Sequence, residues 1–271
     1  MKVISVMNEK GGIGKTITAT SIAWILADKG YNVLLVDGDQ QGNASKLYHV
    51  IDTGESDSIS GLLEAQLSNN INEEVIKRCI HKDNVYNKVK KDDAEGRLDI
   101  IPSNGYLMNT NIKIAISEKS GQVLLMKNVL KKITESEFLH DYDYVICDCG
   151  LVLDMTVLNI LIATDLLIAP IKLGGFEADA INDLKVQIKN LEGFNSHIKV
   201  KGLFTMKQKN KPTEQIEEFF KNEHDMFDSI ISRSVIVEKS TAAFLPLPNI
   251  SKNSKVTKQY KSLTDEILEV L

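Results

Sequence analysis

Residues 8–16 read N-E-K-G-G-I-G-K-T and follow directly on the short apolar run Lys2-Val-Ile-Ser-Val-Met7. Few stretches constrain a fold so tightly. Gly11, Gly12 and Gly14 open backbone conformations closed to residues with a Cβ, so that successive N–H groups can converge on phosphate oxygens. Lys15 adds a mobile positive charge near the β and γ phosphates, the Thr16 hydroxyl is placed to ligate Mg²⁺, and the helix that starts here aims its positive N-terminus at the same point. Such a loop needs a strand before it and a helix after it. Both are present: the segment up to Lys29 carries Ile22, Ile25 and Leu26 on one face and stops at Gly30. The motif reads as a phosphate-binding loop, with Gly11, Gly12, Ile13, Gly14, Lys15, Thr16 and Ile17 around the phosphates.

The rest of the chain repeats the strand-then-helix rhythm. Strand-type runs occur at Lys2–Met7, Asn32–Val36, Leu98–Pro102, Tyr144–Asp148, Leu166–Ile171, Val200–Met206 and about Ile230–Val237. Helical patterns occupy Thr16–Lys29, Asn72–Ile80, Gly121–Ser136, Met155–Ala163, Glu177–Leu191, Thr213–Lys221 and Thr257–Leu271. Strands without a polar face, alternating with helices, predict an α/β, doubly wound, mostly parallel sheet covered by helices on both faces. With 271 residues and 43% hydrophobic content, one domain spanning 1–271 suffices. His81 to Arg97 has dense mixed charge and little core material, and reads as an exposed hairpin or loop.

A net charge of −5 argues against a protein that coats nucleic acid over its whole surface, while leaving room for local basic patches. No apolar run reaches the ~20 residues of a membrane span, and a strand opening at residue 2 leaves no room for a cleavable leader, so a cytoplasmic protein is expected. Cys79, Cys147 and Cys149 are odd in number, and the last two are spaced too closely for the usual zinc patterns. They read as structural thiols in a reducing compartment.

A triphosphate site also needs carboxylates, placed at the C-terminal ends of strands beside the loop. Two apolar runs end that way: Asn32-Val-Leu-Leu-Val36 leads into Asp37-Gly-Asp39-Gln-Gln-Gly-Asn43, and Tyr144-Val-Ile-Cys147 into Asp148. An ionised carboxyl buried without a partner costs several kcal/mol, so a buried strand that stops on one implies a use for it.

One further residue narrows the reading. Lys10 lies five residues before Lys15, where an ordinary phosphate loop carries glycine. This pattern resembles the deviant Walker A ATPases. Within that group, V-L-L-V-D-G-D-Q-Q-G-N is similar to a segment of the ParA/Soj partition ATPases, F-L-H-D-Y-D-Y-V-I-C-D-C resembles their Walker B strand, and T-V-L-N-I-L-I-A-T-D-L-L-I-A-P-I and I-S-R-S-V-I-V-E-K-S extend the likeness in family order. The resemblance implies ATP and Mg²⁺ as ligands and a homodimer formed on ATP binding. Lys10 would reach the partner's phosphates and Lys15 its own. Asp39 would position the attacking water, Asp148 would hold Mg²⁺ through a water, Asp37 would support the metal shell beside Thr16, and Thr205 and Met206 would lie at the base.

The same resemblance implies non-specific DNA binding by the ATP-bound dimer, so that the protein is nucleoid-associated in that state. A ParB-type centromere-binding partner would stimulate hydrolysis. Lys207, Lys209, Lys211, Arg233, Lys252, Lys255 and Lys258 are the candidate DNA contacts, with phosphate contact adding salt-sensitive affinity and no base readout. Some positions depart from the family. Ile17 replaces a threonine, Gly150-Leu151 replaces two prolines after the Walker B strand, Gln40 replaces another proline, and Ile236 stands where an arginine is frequent. These departures point to weak turnover and keep a nucleotide-binding regulator or scaffold with little hydrolysis as an alternative. The MinD relatives share the loop but insert a basic terminal helix into membranes. The terminal helix here carries Asp265, Glu266 and Glu269 beside its apolar stripe, so no membrane partner is expected.

Overall fold

The computed structural model describes residues 1–90, 95–137, 139, 141–172, 177–208, 217, 218 and 220–271. The Val/Ile/Leu-rich runs become β1 (Lys2–Val6), β2 (Asn32–Gly38), β3 (Arg97–Ile101), β4 (Tyr144–Cys149), β5 (Leu166–Lys172) and β6 (Lys199–Thr205). They form one sheet in the order β3-β2-β4-β1-β5-β6, with every pairing parallel. The expected doubly wound α/β architecture is therefore borne out. β1 lies in the interior, and the chain winds away from it in both directions. That is the topological switch point, where the C-terminal strand ends leave a crevice for a ligand.

Alternate residues feed opposite layers, as the two-residue strand period requires. Leu34 and Val36 face one apolar cluster, together with Cys147 and Cys149 of β4. Val33, Leu35 and Ile146 face the other. The first layer holds α3 (Ile59–Leu67), α4 (Glu73–Cys79), α6 (Leu107–Ala115), α7 (Leu125–Glu135), α8 (Met155–Ile162) and α9 (Glu177–Asn190). The second holds α1 (Lys15–Asp28), α2 (Asn43–Leu47), α5 (Val85–Val89), α10 (Val235–Ala243), α11 (Leu247–Ile250) and α12 (Lys255–Val270). All three cysteines are buried free thiols.

α1 is more enclosed than a one-sided apolar stripe suggests. Every residue except Thr16 and Asp28 is buried, and two of its polar side chains are tied down: Thr20 Oγ1 donates to the Thr16 carbonyl at 2.6 Å, and the Thr18 and Tyr260 hydroxyls share a 3.1 Å bond, while the Ser21 hydroxyl is buried without a partner. The helix behind the phosphate loop is thus fixed on all sides.

Two expectations change, and one lies mostly beyond the described residues. The seventh strand, about Ile230–Val237, does not form. Contacts there reduce to an isolated bridge between Lys207 and Ser232, and α10 begins at Val235, with the Ser234 side chain capping the Ile236 N–H. The β-branched run Val235-Ile236-Val237 favours a strand locally, but the cap and the tertiary setting override it. Second, of the expected exposed hairpin or loop at 81–97, residues 81–90 are built partly into the fold, and 91–94 lie outside the described residues. His81 pairs with Ile100 in an antiparallel bridge, and α5 buries Val85 and Tyr86. Tyr86 meets Trp24 of α1 edge-on at 4.9 Å between ring centroids, so an aromatic anchor hidden among charges holds it down. Third, the expected helix Thr213–Lys221 falls mostly outside the described residues.

The terminal helix settles the question raised by its apolar stripe. Leu263 and Ile267 are fully buried against the second cluster, and Leu268 and Leu271 pack beside it. Among the described residues no helix is long and apolar enough to cross a membrane.

Candidate nucleotide site

The phosphate loop leaves β1 and turns into α1 through two residues in left-handed backbone, Gly12 at φ 68° and Gly14 at φ 90°. Side chains with a Cβ adopt this conformation at a cost, which is why glycine stands at both places. Gly14 also caps α1 without a side-chain hydrogen bond, leaving the first N–H groups of the helix open toward an anion. Four bonds among the described residues hold the loop in shape, the first from the Lys10 N–H to Asn8 Oδ1 at 3.0 Å. Asn8 Nδ2 donates to the Pro170 carbonyl of β5 at 2.8 Å, Thr205 Oγ1 of β6 donates to the Ile13 carbonyl at 2.8 Å, and Lys15 Nζ donates to the Lys10 carbonyl at 3.0 Å.

Two cavities flank this loop and share Gly14 and Ile17. One, of about 360 Å³, is lined by Gly11 through Ile17, with Asp39, Gln41, Asn43, Lys46, Leu47, Leu151, Thr241 and Phe244. The other, of about 410 Å³, includes Thr205, Met206, Ile231, Arg233, Val237 and Tyr260. A ligand with a polyanionic end and a flat apolar end can bridge them by lying across Gly14 and Ile17. The sequence-read residues therefore divide cleanly. Gly11 to Ile17 and Asp39 meet on the phosphate side, Thr205 and Met206 meet on the far side, and Lys10, Asp37 and Asp148 line neither cavity.

The acids sit where parallel pairing brings strand ends together. Asp37 of β2 is directly opposite Asp148 of β4, and Asp148 is opposite Val6 at the end of β1. Asp37 is fully buried and already employed: its carboxylate accepts from the Ser45 N–H at 2.8 Å, the Ser45 hydroxyl at 2.7 Å and the Asp39 N–H at 3.2 Å. It shapes the turn from β2 into α2. Burial pushes its carboxyl up to about 6, against the pull of those Ser45 bonds. Asp39 is partly exposed and accepts from the Gln41 N–H at 3.0 Å.

Asp148 differs. Both carboxylate oxygens are buried with no hydrogen-bond partner. Burial first, and then the negative charge of Asp37, hold it well above the usual carboxylate range; Thr16 and the Lys15 ammonium temper the effect without satisfying the oxygens. Lys15 is lowered, chiefly by burial, while Asp148, Asp39 and Cys149 pull it back up. An orphaned buried carboxylate beside a threonine hydroxyl fits a hard divalent cation that keeps several waters and takes one or two carboxylates plus phosphate oxygens. Among the described residues no three His, Cys, Asp or Glu converge as a transition-metal cage would require.

The glycine between Asp37 and Asp39 is a spatial requirement. A Cβ on Gly38 would come to 2.6 Å from Ile160 Cδ1 and 3.1 Å from the Asp148 carbonyl oxygen. At Gly150, by contrast, a Cβ would meet nothing closer than 3.8 Å, so space there does not demand glycine.

A family model for AAA_31, described as AAA domain, matches residues 1–200. The chain belongs to this family. It is 26% identical over 276 residues to the chromosome partitioning protein ParA of Myxococcus xanthus, covering 99% of this chain and 88% of that protein. It is 25% identical over 278 residues to the sporulation initiation inhibitor protein Soj of Bacillus subtilis, covering 98% of each. A crystal structure of a plasmid partition protein from Borrelia burgdorferi bound to AMPPNP superposes with a TM-score of 0.77 at 21% identity, covering 100% of this chain and 99% of that one, and establishes the shared fold. The resemblance to the ParA/Soj P-loop ATPases is borne out.

The candidate DNA residues scatter more than the phosphate site does. Lys207, Arg233 and Lys255 line one shallow groove of about 570 Å³, brought together by backbone bonds from the Lys207 N–H to the Ile231 carbonyl and from the Arg233 N–H to the Lys207 carbonyl. Lys207 is paired with Glu217, Arg233 with Glu238 at 3.4 Å, and Lys252 with Asp28 at 3.3 Å. Lys258 is exposed on α12, and Lys209 and Lys211 lie outside the described residues. Ile236, at the position where an arginine is frequent in the family, packs against the core.

Sequence reading missed Asn43, Lys46 and Leu47 of α2 and Thr241 and Phe244 of α10 as walls of the phosphate cavity. Asn43 ends the D-G-D-Q-Q-G-N stretch and carried a signal. Phe244 carried none, because its place depends on how α10 lies across the loop.

Proposed function

We propose that this protein is an ATP-dependent, dimerising partition ATPase, which binds DNA without sequence preference in its ATP-bound form and is released when a ParB-type partner stimulates hydrolysis. In this reading it works in the cytoplasm and gathers on the nucleoid while ATP-bound. The observation that carries it is the buried, partnerless Asp148 carboxylate at the end of β4, beside the Thr16 and Lys15 of a loop already pinned in shape. A free-standing fold gains nothing from such a group, whereas a Mg²⁺-nucleotide site needs it.

ATP lies with its phosphates against Gly11 to Thr16 and its base toward Thr205 and Met206. Thr16 and Asp148 would hold Mg²⁺, with Asp37 fixing the turn behind them. The cation, when bound, neutralises charge on the phosphates. Lys15 supports the same oxygens, Asp39 orients water, and Lys10 is offered to the partner subunit's phosphates. Turnover is slow, because Ile17 brings no hydroxyl to the α-phosphate and Gly150-Leu151 supplies no rigid wall. Lys207, Arg233 and Lys255 contact DNA phosphates, and Lys209, Lys211, Lys252 and Lys258 extend the patch.

DNA co-sedimentation tests this with wild type and Lys10→Ala, each with ADP, ATP and a slowly hydrolysed analogue, at rising salt. Binding that needs the triphosphate, weakens with salt and disappears in the variant supports the reading. Protein that stays monomeric and off DNA with the trapped analogue overturns it.

A further inference from the structure

α10 lies along both cavities. Its first turns place Val237 and Glu238 in the wall of the base-side cavity, and its end places Thr241 and Phe244 in the wall of the phosphate-side cavity. The helix is lightly held, since only Ser240 is buried within it, whereas α1 beneath is enclosed on nearly every side. An element with so little buried surface opens at lower cost than its surroundings.

Its last position is unusual. Phe244 caps α10 in left-handed backbone, φ 51° and ψ 44°, where a bulky side chain is disfavoured and glycine is at ease. The bonds that secure this turn involve main-chain atoms of 244 and 245: the Leu245 N–H donates to the Ser240 carbonyl, the Ser240 hydroxyl donates to the Leu245 carbonyl at 2.6 Å, and His49 Nε2 meets the Phe244 carbonyl at 3.0 Å. None of them needs an aromatic ring. The ring is nonetheless kept, is 55% exposed, and lines the phosphate cavity. Leu151 lines the same cavity from the loop after β4. It is also largely exposed, and its Cδ atoms lie 3.9 Å from the point a Cβ on Gly11 would occupy. Two exposed apolar side chains on separate elements thus border a cavity whose floor is cationic and rich in N–H groups. Neither can contribute a hydrogen bond to a phosphate. What such groups can do is obstruct a path and exclude water.

We propose that Phe244 and Leu151 form an apolar gate on the phosphate side, which sets how fast nucleotide passes into and out of the site without setting how tightly it is held. The proposal rests on the nucleotide reading above. The gate opens as the weakly buried α10 shifts against the turn that follows α2, to which the His49 bond ties it.

Stopped-flow fluorescence with mant-AMPPNP and Mg²⁺ tests it on wild type, Phe244→Gly and Leu151→Ala. Phe244→Gly suits the observed backbone and retains the fold, while Leu151→Ala alters an exposed loop position, so each variant carries the test by itself. Removing a gate accelerates association and dissociation together, here by about threefold or more, and leaves Kd within about twofold. Unchanged rates in both variants overturn the gate. So does faster dissociation alone with a matching loss of affinity, which would make these side chains ordinary binding contacts. Failure of the wild type to bind the probe at all overturns the nucleotide reading itself, and so is distinguishable from failure of the gate.

Discussion

Asp148→Asn is expected to make the nucleotide-free protein more stable while removing its response to magnesium. Both Asp148 oxygens are buried and unpartnered, and in register across the sheet stands Asp37, a second fully buried carboxyl. Keeping charge at this point costs several kcal/mol unless a proton or a cation arrives. The amide removes the charge but leaves its own buried polar atoms, a loss of about 1–3 kcal/mol, so the net gain is expected near 1–2 kcal/mol. At this chain length that corresponds to a rise in Tm of about 2–6 °C. The pH dependence has a definite sign. Asp37 is raised to about 6 and Asp148 is raised further above the ordinary range, so both hold protons more tightly folded than unfolded. Their contribution is fully present below about pH 4 and is lost as pH rises through about 6 and beyond. Differential scanning calorimetry in EDTA from pH 5 to pH 8 is therefore expected to show the wild-type Tm falling, with a shallower slope in Asp148→Asn. With Mg²⁺ and AMPPNP at about 100 times Kd the wild type regains about 2.7 kcal/mol, and the variant shows no magnesium-dependent part of that gain. An EDTA Tm at or below wild type, with the pH slope unchanged, would refute the reasoning.

Gly38→Ala drives a Cβ against Ile160 Cδ1 and the Asp148 carbonyl, and is expected to cost about 1–3 kcal/mol by urea denaturation. Ile160→Val deletes that Cδ1, so the double variant is expected to lose less than the sum of the singles; strict additivity would count against the contact. Ile17→Thr places a hydroxyl where the two cavities meet and is expected to tighten nucleotide binding about tenfold by calorimetric titration, the worth of a hydrogen bond to a charged group, with unchanged affinity speaking against the α-phosphate lying there. Thr18→Val breaks the buried bond to Tyr260 between α1 and α12 and is expected to cost about 1–2 kcal/mol by urea denaturation, with unchanged stability speaking against the bond. Sedimentation with anionic vesicles, with or without ATP, is expected to leave the protein in the supernatant, because the stripe on α12 is already packed against the core; recovery in the pellet would show that the helix can leave it.

The phosphate loop was legible in the sequence because its chemistry is local. Gly12 and Gly14 stand at the two left-handed positions, Lys15 and Thr16 follow at fixed spacing, and neighbours in the chain are neighbours in space. The parallel sheet was equally legible, since strands buried on both faces must be apolar throughout. Asp37, Asp39 and Asp148 were recognisable as strand-end acids. The facing of Asp37 and Asp148, and the contrast between a carboxylate fully employed by Ser45 and one with no partner, come only from the register of β2 against β4. Tertiary structure alone also turned the β-branched run at Val235 into a helix, buried Tyr86 within a charged stretch, and set Phe244 over the phosphate cavity. Local rules act over a few bonds and leave their mark on composition and spacing. Whether a side chain meets solvent, a carboxylate or a cavity depends on segments far apart in the chain, and no short stretch of sequence records which of them will be adjacent.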